Sequence, residues 1–388
     1  MLHKIDKNLL KIITQSAFCQ SVNCFAFVKN IEQAKKLVNK NFECKITGEY
    51  PFIQALSITI SSSKVLTFAK YDDIIFLSPQ TKVSTLVNVS KNVLNFKNSC
   101  SNNEITTAII DTGISPHLDF TLGKNRISKF VDLINGKDAP YDDNGHGTFV
   151  AGVLAGSGIV SNKKYSGFAP QTNLIIVKAL NEKGEANATK ILDAMQWIYE
   201  NAEKQKIKVV CMSFGSEPLG FSDPIMKGAE ALWHKGIFVV CAGGNSGPDF
   251  ATIKSPGTSS KVITVGGLDD GRVDGQIDKL KYKIADFSSR GPSLGKNKPD
   301  VVAPAVKIIS CCNKSFYTEL SGTSVSTPMI AGIAVNILQE NSKIKNNYLK
   351  KIITNFCINI NKNKNIGGSG YPDFKEIKKY LQNYKINN

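Results

Sequence analysis

Arginine is scarce in this 388-residue chain: Arg126, Arg272 and Arg290 are the only three among 48 basic residues. The excess over 32 acidic residues is therefore almost wholly lysine and gives a net charge of +16. Groove and phosphate readers rely on arginine's planar fork and on clustered basic stripes. These lysines are instead spread along the chain, often beside asparagine. A general lysine–asparagine bias accounts for the charge, and no nucleic-acid partner is expected. Cysteine pairing is also missing. The nine cysteines are odd in number, no CxxC occurs, and Cys211 and Cys241 lie inside the apolar runs VVCMSFG and FVVCAGG. That pattern suits buried thiols, not a zinc site or a disulfide framework. No apolar stretch approaches the roughly 18 residues of a membrane span. The segment MLHKIDKNLLKIITQSAF is broken by charge every few positions and lacks the apolar core of a secretory signal. These absences lead to the expectation of a cytoplasmic protein with no membrane partner, while release by a route that needs no signal peptide is compatible with them.

What is present is an ordinary globular composition, 42% hydrophobic and 21% charged, long enough for one large domain and a smaller one. There is no internal repeat. Up to about residue 86 a helical pattern (IEQAKKLVNK) mixes with β-rich runs (ALSITISSSKVLTF, YDDIIFLS), which predicts a small α+β unit with an antiparallel sheet. Residues 87–103 are rich in Ser, Asn and Lys and read as a linker. From Glu104 onward, continuous apolar runs (TTAIIDTG, NLIIVKAL, KVVCMSFG, GIFVVCAGG, KVITVGG) alternate with helical stretches. Strands buried on both faces read this way, so a mostly parallel sheet between helices is predicted, with working residues at the strands' carboxyl ends.

Three segments carry chemistry. Asp111 ends a strand and precedes Thr112-Gly113; His146 lies between Gly145 and Gly147 at a helix start; Ser324 lies in SGTSVSTP before the apolar run MIAGIAVNIL. Taken singly, each has an ordinary structural explanation as a turn residue or a helix cap. Taken together they supply a hydroxyl, an imidazole and a carboxylate, the requirements of nucleophilic serine catalysis. The chain order Asp, His, Ser is the one associated with the subtilisin-type α/β fold. A nucleotide-binding alternative would need a GxGxxG or GxxxxGK[ST] loop after the first strand, and IIDTGISPH is neither.

The blocks IIDTG, DDNGHGTFVAG, AGGNSGPD and LSGTSVSTPMIAG, with DFSSRGP and KPDVVAPAV, resemble the signature segments of the subtilisin-like serine proteases. The resemblance spans about residues 104–385 and is closest to non-secreted bacterial subtilases with an N-terminal pro-region. It implies a three-layer subtilisin-like fold, preceded by an α+β pro-domain over residues 1–95, with a catalytic domain over 96–388. It further implies a serine endopeptidase in which Ser324 attacks, His146 acts as base and then acid, and Asp111 orients His146. Asn245 and the Ser324 N–H would hold the oxyanion. Substrate would add as a β-strand to Ser213, Phe214 and Gly215, facing Gly243 and Gly244, where Gly215 and Gly244 leave room for backbone approach and a P1 side chain. The N-terminal unit would act as an intramolecular inhibitor and folding aid, self-cleaved between Leu86 and Asn103. The alternative is a pseudoprotease that keeps this unit in its cleft as a binding module.

Three departures from the family pattern qualify these expectations. Phe149 stands where a second histidine is common, outside the triad. Lys254 precedes Ser255-Pro256-Gly257, which in the family borders the base of the S1 pocket; it is expected to face solvent, and would favour acidic P1 residues if it reached the pocket. Residues 155–170 replace the calcium loop of secreted relatives with a segment holding two lysines and no carboxylate. No metal or other cofactor is therefore expected there, and a weak calcium site elsewhere is left open.

Overall fold

The structure is a computed structural model that describes residues 2–15, 20–41, 44–80, 82–85, 93–96, 104–271 and 279–386. The N-terminal unit contains strands β1 (Ser21–Val28), β2 (Cys44–Tyr50), β3 (Ala55–Ser61) and β4 (Ile74–Pro79), and helices α1 (Lys7–Gln15), α2 (Ile31–Asn41) and α3 (Ser62–Phe68). Its strands form an antiparallel sheet in the order β2-β3-β1-β4. The run ALSITISSSKVLTF, expected as β structure, is strand only as far as Ser61 and then turns helical. β1 has both faces covered because its side chains alternate. Cys24, Ala26 and Val28 enter a core shared with Leu9, Ala34 and Val65 from the three helices, while Phe25 and Phe27 face the larger unit. A fifth strand, β5 (Lys82–Thr85), leaves this unit and pairs elsewhere.

The larger unit is built on a sheet ordered β14-β13-β12-β10-β6-β8-β7, with β15 beside β13. Its strands are β6 (Thr106–Asp111), β7 (Ile127–Asp132), β8 (Asn173–Lys178), β10 (Ile207–Met212), β12 (Phe238–Ala242), β13 (Ile263–Asp269), β14 (Lys283–Ile284) and β15 (Val301–Pro304); short strands β9 (Glu185–Asn187) and β11 (Phe214–Gly215) lie outside it. All pairings are parallel except β13 with β14. Every residue of β6 and β12 is buried, which explains why neither alternates apolar and polar faces. Helices α5 (His146–Ala155) and α8 (Thr323–Glu340) pack together on one face; α6 (Ala188–Asn201) and α7 (Pro224–His234) pack together on the other. α8 is the central helix, buried along nearly its whole length and in contact with β10, β12, β13 and β15. A helix apolar all round needs such a position.

Val93 and Leu94 are buried in the core of this larger unit, and Phe96 stacks between Phe168 and Phe374 at centroid distances of 4.7 and 4.6 Å. Packing thus attaches residues 93–96 to the sheet-bearing unit. The rest of the expected linker, with most of the expected cleavage window, lies outside the described residues. Cys211 and Cys241 are buried thiols, in keeping with their apolar surroundings. Among the described residues no helix is long and apolar enough to cross a membrane.

Candidate active site

β6 and its neighbours end on the same side of the sheet, and their last residues meet there. Asp111 closes β6 and is fully buried. Its Oδ1 accepts the N–H of Thr112 at 2.8 Å and faces Nδ1 of His146 at 2.7 Å. His146, the first residue of α5, is 3% exposed. Such an approach of helix to strand end depends on glycine: a Cβ on Gly147 would stand 2.2 Å from the carbonyl oxygen of Gly113.

Asp142 holds the loop that delivers His146. Its Oδ1 accepts from the Thr112 hydroxyl at 2.9 Å and from the N–H groups of Asn144 (3.1 Å) and Gly145 (2.8 Å). Its Oδ2 accepts from the Thr148 N–H at 2.8 Å and hydroxyl at 2.7 Å. Lys178 ends β8 opposite Asp111 in register and is fully buried; its Nζ donates to Thr112 O at 2.6 Å, Leu180 O at 3.1 Å and Asp143 Oδ1 at 2.7 Å. Sequence reasoning singled out neither residue. Asp142 had left a signal, since an aspartate two and three positions before Asn-Gly closes a side-chain turn. A lysine at the end of an apolar strand had left none.

Ser324 lies in the first turn of α8, fully buried, with Oγ making no hydrogen bond among the described residues. Thr323 beside it ties the helix start to the glycine-rich loop after β12. Its N–H and hydroxyl both donate to Asn245 Oδ1, at 2.9 and 3.0 Å, and its hydroxyl oxygen accepts the Gly244 N–H at 3.2 Å. With its amide oxygen so engaged, Asn245 keeps its NH2 group as the donor available for other work. Burial pushes the thiol of nearby Cys211, on β10, up to about 12, so no thiolate forms beside these groups at neutral pH.

Ser213, Phe214 and Gly215 follow β10 and are buried. β5 of the N-terminal unit runs antiparallel to β11, with Thr85 opposite Phe214 and Ser84 opposite Gly215. Its other edge pairs antiparallel with β9, Lys82 opposite Asn187 and Ser84 opposite Glu185. The part played by β9 was not read from the sequence. Gly243 and Gly244 border the same region. At Gly244 φ is +113° and a Cβ would lie 2.6 Å from Lys254 Cγ, so the position suits glycine alone. Lys254 is partly buried, its side chain 15% exposed, and its Nζ is paired with the largely exposed carboxylate of Glu217.

Residues 155–170 turn backbone donors toward Asp119. The N–H groups of Gly158 and Val160 donate to Asp119 at 3.0 and 3.2 Å, joined by the Tyr317 hydroxyl at 2.8 Å. Arg126 adds a buried positive charge, donating to the carbonyls of Ala155 and Asp119. A calcium ion needs six to eight oxygen ligands, and these residues do not fit one. Asp119 also lies close to His117 and Cys311, a grouping of metal-ligand types. Both His117 nitrogens are engaged, however: Nδ1 accepts the Asp119 N–H at 3.0 Å, and Nε2–H donates to Phe316 O at 2.7 Å.

Residues 102–371 match the family described as the subtilase family, Peptidase S8. The chain is 36% identical over 353 residues to the serine protease AprX of Bacillus subtilis, covering 84% of this chain and 78% of that protein. It is 27% identical over 355 residues to the M-protease of Shouchella clausii, covering 89% and 85%. Against subtilisin DY of Bacillus licheniformis it is 30% identical over 259 residues, covering 66% and 84%. A family match over most of the sheet-bearing unit, together with a relative aligned along most of both lengths, decides the assignment: this chain belongs to the subtilase family and is a serine endopeptidase.

Proposed function

We propose that Asp111, His146 and Ser324 form the catalytic triad and that the chain is made as a self-processing zymogen. Ser324 Oγ attacks the scissile carbonyl while His146 Nε2 takes its proton; Asp111, through the 2.7 Å contact to Nδ1, holds the tautomer this requires and stabilises the imidazolium. The carbonyl oxygen, now negative, receives hydrogen bonds from the Asn245 side-chain amide and the Ser324 N–H. His146 then protonates the leaving amine, and the acyl group on Ser324 is released by a water that His146 deprotonates. Substrate takes the place of β5, pairing with β11 on one edge and β9 on the other.

The observation that carries the zymogen reading is β5 itself. It occupies the groove as a peptide strand in antiparallel register with both edges, and the chain continues from Thr85 into the expected cleavage window. The pseudoprotease alternative draws on the same occupancy. Intact mass of the wild type and of Ser324→Ala, each treated with a fluorophosphonate, separates the two. A single adduct on a shortened wild type, with the variant full-length and unlabelled, is the expected result. A folded wild type that stays full-length and unlabelled after the N-terminal unit is displaced by mild denaturant would establish the pseudoprotease.

A further inference from the structure

Lys178 takes no part in the catalytic steps above, yet its side chain is fully buried. An ammonium carries three N–H donors and no acceptor, and burial makes it costly to leave them unpaired. One donor reaches Thr112 O at 2.6 Å, next to Asp111. Another reaches Asp143 Oδ1 at 2.7 Å, on the loop that delivers His146. The third turns back on its own chain, to Leu180 O at 3.1 Å, and that chain runs directly into β9. The ring of Tyr141, also from the histidine loop, lies 5.0 Å from the same nitrogen. A single buried charge thus clamps the approach to β9 onto the segments that carry Asp111 and His146.

The path from Leu180 to β9 is short and closed. The Asn181 N–H donates to Glu185 O at 2.9 Å, and the Glu185 N–H returns to Asn181 Oδ1 at 2.9 Å. Asn144, from the histidine loop, adds a bond from Nδ2 to Glu182 O at 2.9 Å. Among the described residues β9 has no strand partner except β5, so its edge is completed only when a peptide lies there. Binding energy from parts of a substrate remote from the scissile bond raises kcat only where it orients the reacting groups. We propose that Lys178 is a positioning residue that carries binding energy from the β9 edge to the Asp111–His146 pair. With a peptide strand on β9, the turn at 181–185 is held, Leu180 O is fixed against the ammonium, and Thr112 and Asp143 are fixed with it. The 2.7 Å contact between His146 Nδ1 and Asp111 Oδ1 is thereby set. With β9 bare, the junction is looser and the pair is less well aligned.

This inference rests on the proposed triad and groove, and its test separates them. Two peptides with the same scissile bond are compared, one long enough to pair with β11 only and one extended at its amino end along β9. Each is assayed with wild type, Lys178→Met and Asp143→Asn, active enzyme being counted by fluorophosphonate titration. A wild type that cannot be titrated would bring down the triad and this inference together. In titratable wild type, extension is expected to raise kcat as well as lower KM. Lys178→Met keeps the backbone bonds from Ala179 and Leu180 to Asp111 O. In this variant extension still lowers KM but no longer raises kcat, and kcat on the long peptide falls roughly 10–100-fold, the scale of one hydrogen bond to a charged group. The short peptide loses much less. Asp143→Asn, at a side chain 35% exposed, keeps an oxygen for Lys178 without the charge. It shows the same split more weakly, and it carries the test if Lys178→Met does not fold. A fall of one common factor on both peptides would make Lys178 a support of the fold alone and overturn the proposal. So would kcat unchanged in the variants, or a wild type in which extension alters KM alone.

Discussion

Asn245 has one half of its side chain committed and the other half free to act. Because Thr323 takes the amide oxygen twice, the NH2 group is oriented before substrate arrives, and preorganised donors cost no reorientation in the transition state. Asn245→Ala is expected to lower kcat by roughly 10²–10³, the magnitude known for such a donor in a subtilisin, with KM changed little. A fall in kcat/KM carried wholly by KM would show instead that Asn245 binds substrate without stabilising the oxyanion. Asp142 illustrates how far residue-scale reading extends: the Asx turn was visible in DDNG, but its bond to Thr112 joins segments 30 residues apart and became visible only in the fold.

Between elements, buried charge does what hydrophobic packing does elsewhere. Asp300, just before β15, accepts from Lys298 at 2.7 Å and pairs with Lys350 at 2.9 Å; Lys350 lies on α9 (Asn346–Asn355), so the carboxylate ties the sheet to this helix. Burial alone would raise the Asp300 pKa, but the two ammonium groups hold it below the usual carboxylate range. A carboxyl depressed on folding stabilises the protein above its unfolded pKa, about 3.9, and loses that contribution as pH falls through the lower folded value. Asp300→Asn should therefore cost about 3 kcal/mol at neutral pH, with the gap in Tm from wild type closing below about pH 4. A gap that stays constant down to pH 2 would mean that Asp300 stabilises without its charge. The loop at 155–170 invites a simpler test. With N–H donors and Arg126 surrounding Asp119, chelation by EDTA is expected to leave Tm unchanged, and a fall of several degrees reversed by calcium would overturn the reading of that loop.

At the scale of the whole molecule, the two units meet across α6 and α7. Tyr50 donates to Asp193 Oδ1 at 3.0 Å, Phe52 stacks on Tyr199 at 5.6 Å, and Lys227 lies 5.9 Å from the Phe27 ring centre. Burial pushes the Asp193 carboxyl up, opposed by the Tyr50 hydroxyl. The Tyr50 hydrogen bond is the part of this balance that comes from the other unit, and it favours the carboxylate. Tyr50→Phe leaves Asp193 without that donor, which should loosen docking by about 1–2 kcal/mol, roughly 5–30-fold. The expected readout is a shorter lag before the full-length protein becomes active. An unchanged lag would place the rate-limiting contact elsewhere, with β5 in the groove the next to be tested.

The sequence by itself determined the fold class, because that is written in contiguous stretches. Apolar runs such as TTAIID specify doubly buried strands, and glycines beside Asp111 and His146 specify close approach whatever their partners are. Tertiary structure alone decided who meets whom. Nothing in Lys82–Thr85 announces that it pairs with Phe214–Gly215 and Glu185–Asn187, nothing in Lys178 announces a buried ammonium beside Asp111, and Lys254 gave no hint of Glu217. The reason is physical: every residue but proline offers the same N–H and C=O to a neighbouring strand, and a lysine or glutamate side chain reads alike on the surface and in a recess. Only the packing of distant segments turns those common groups into particular partners.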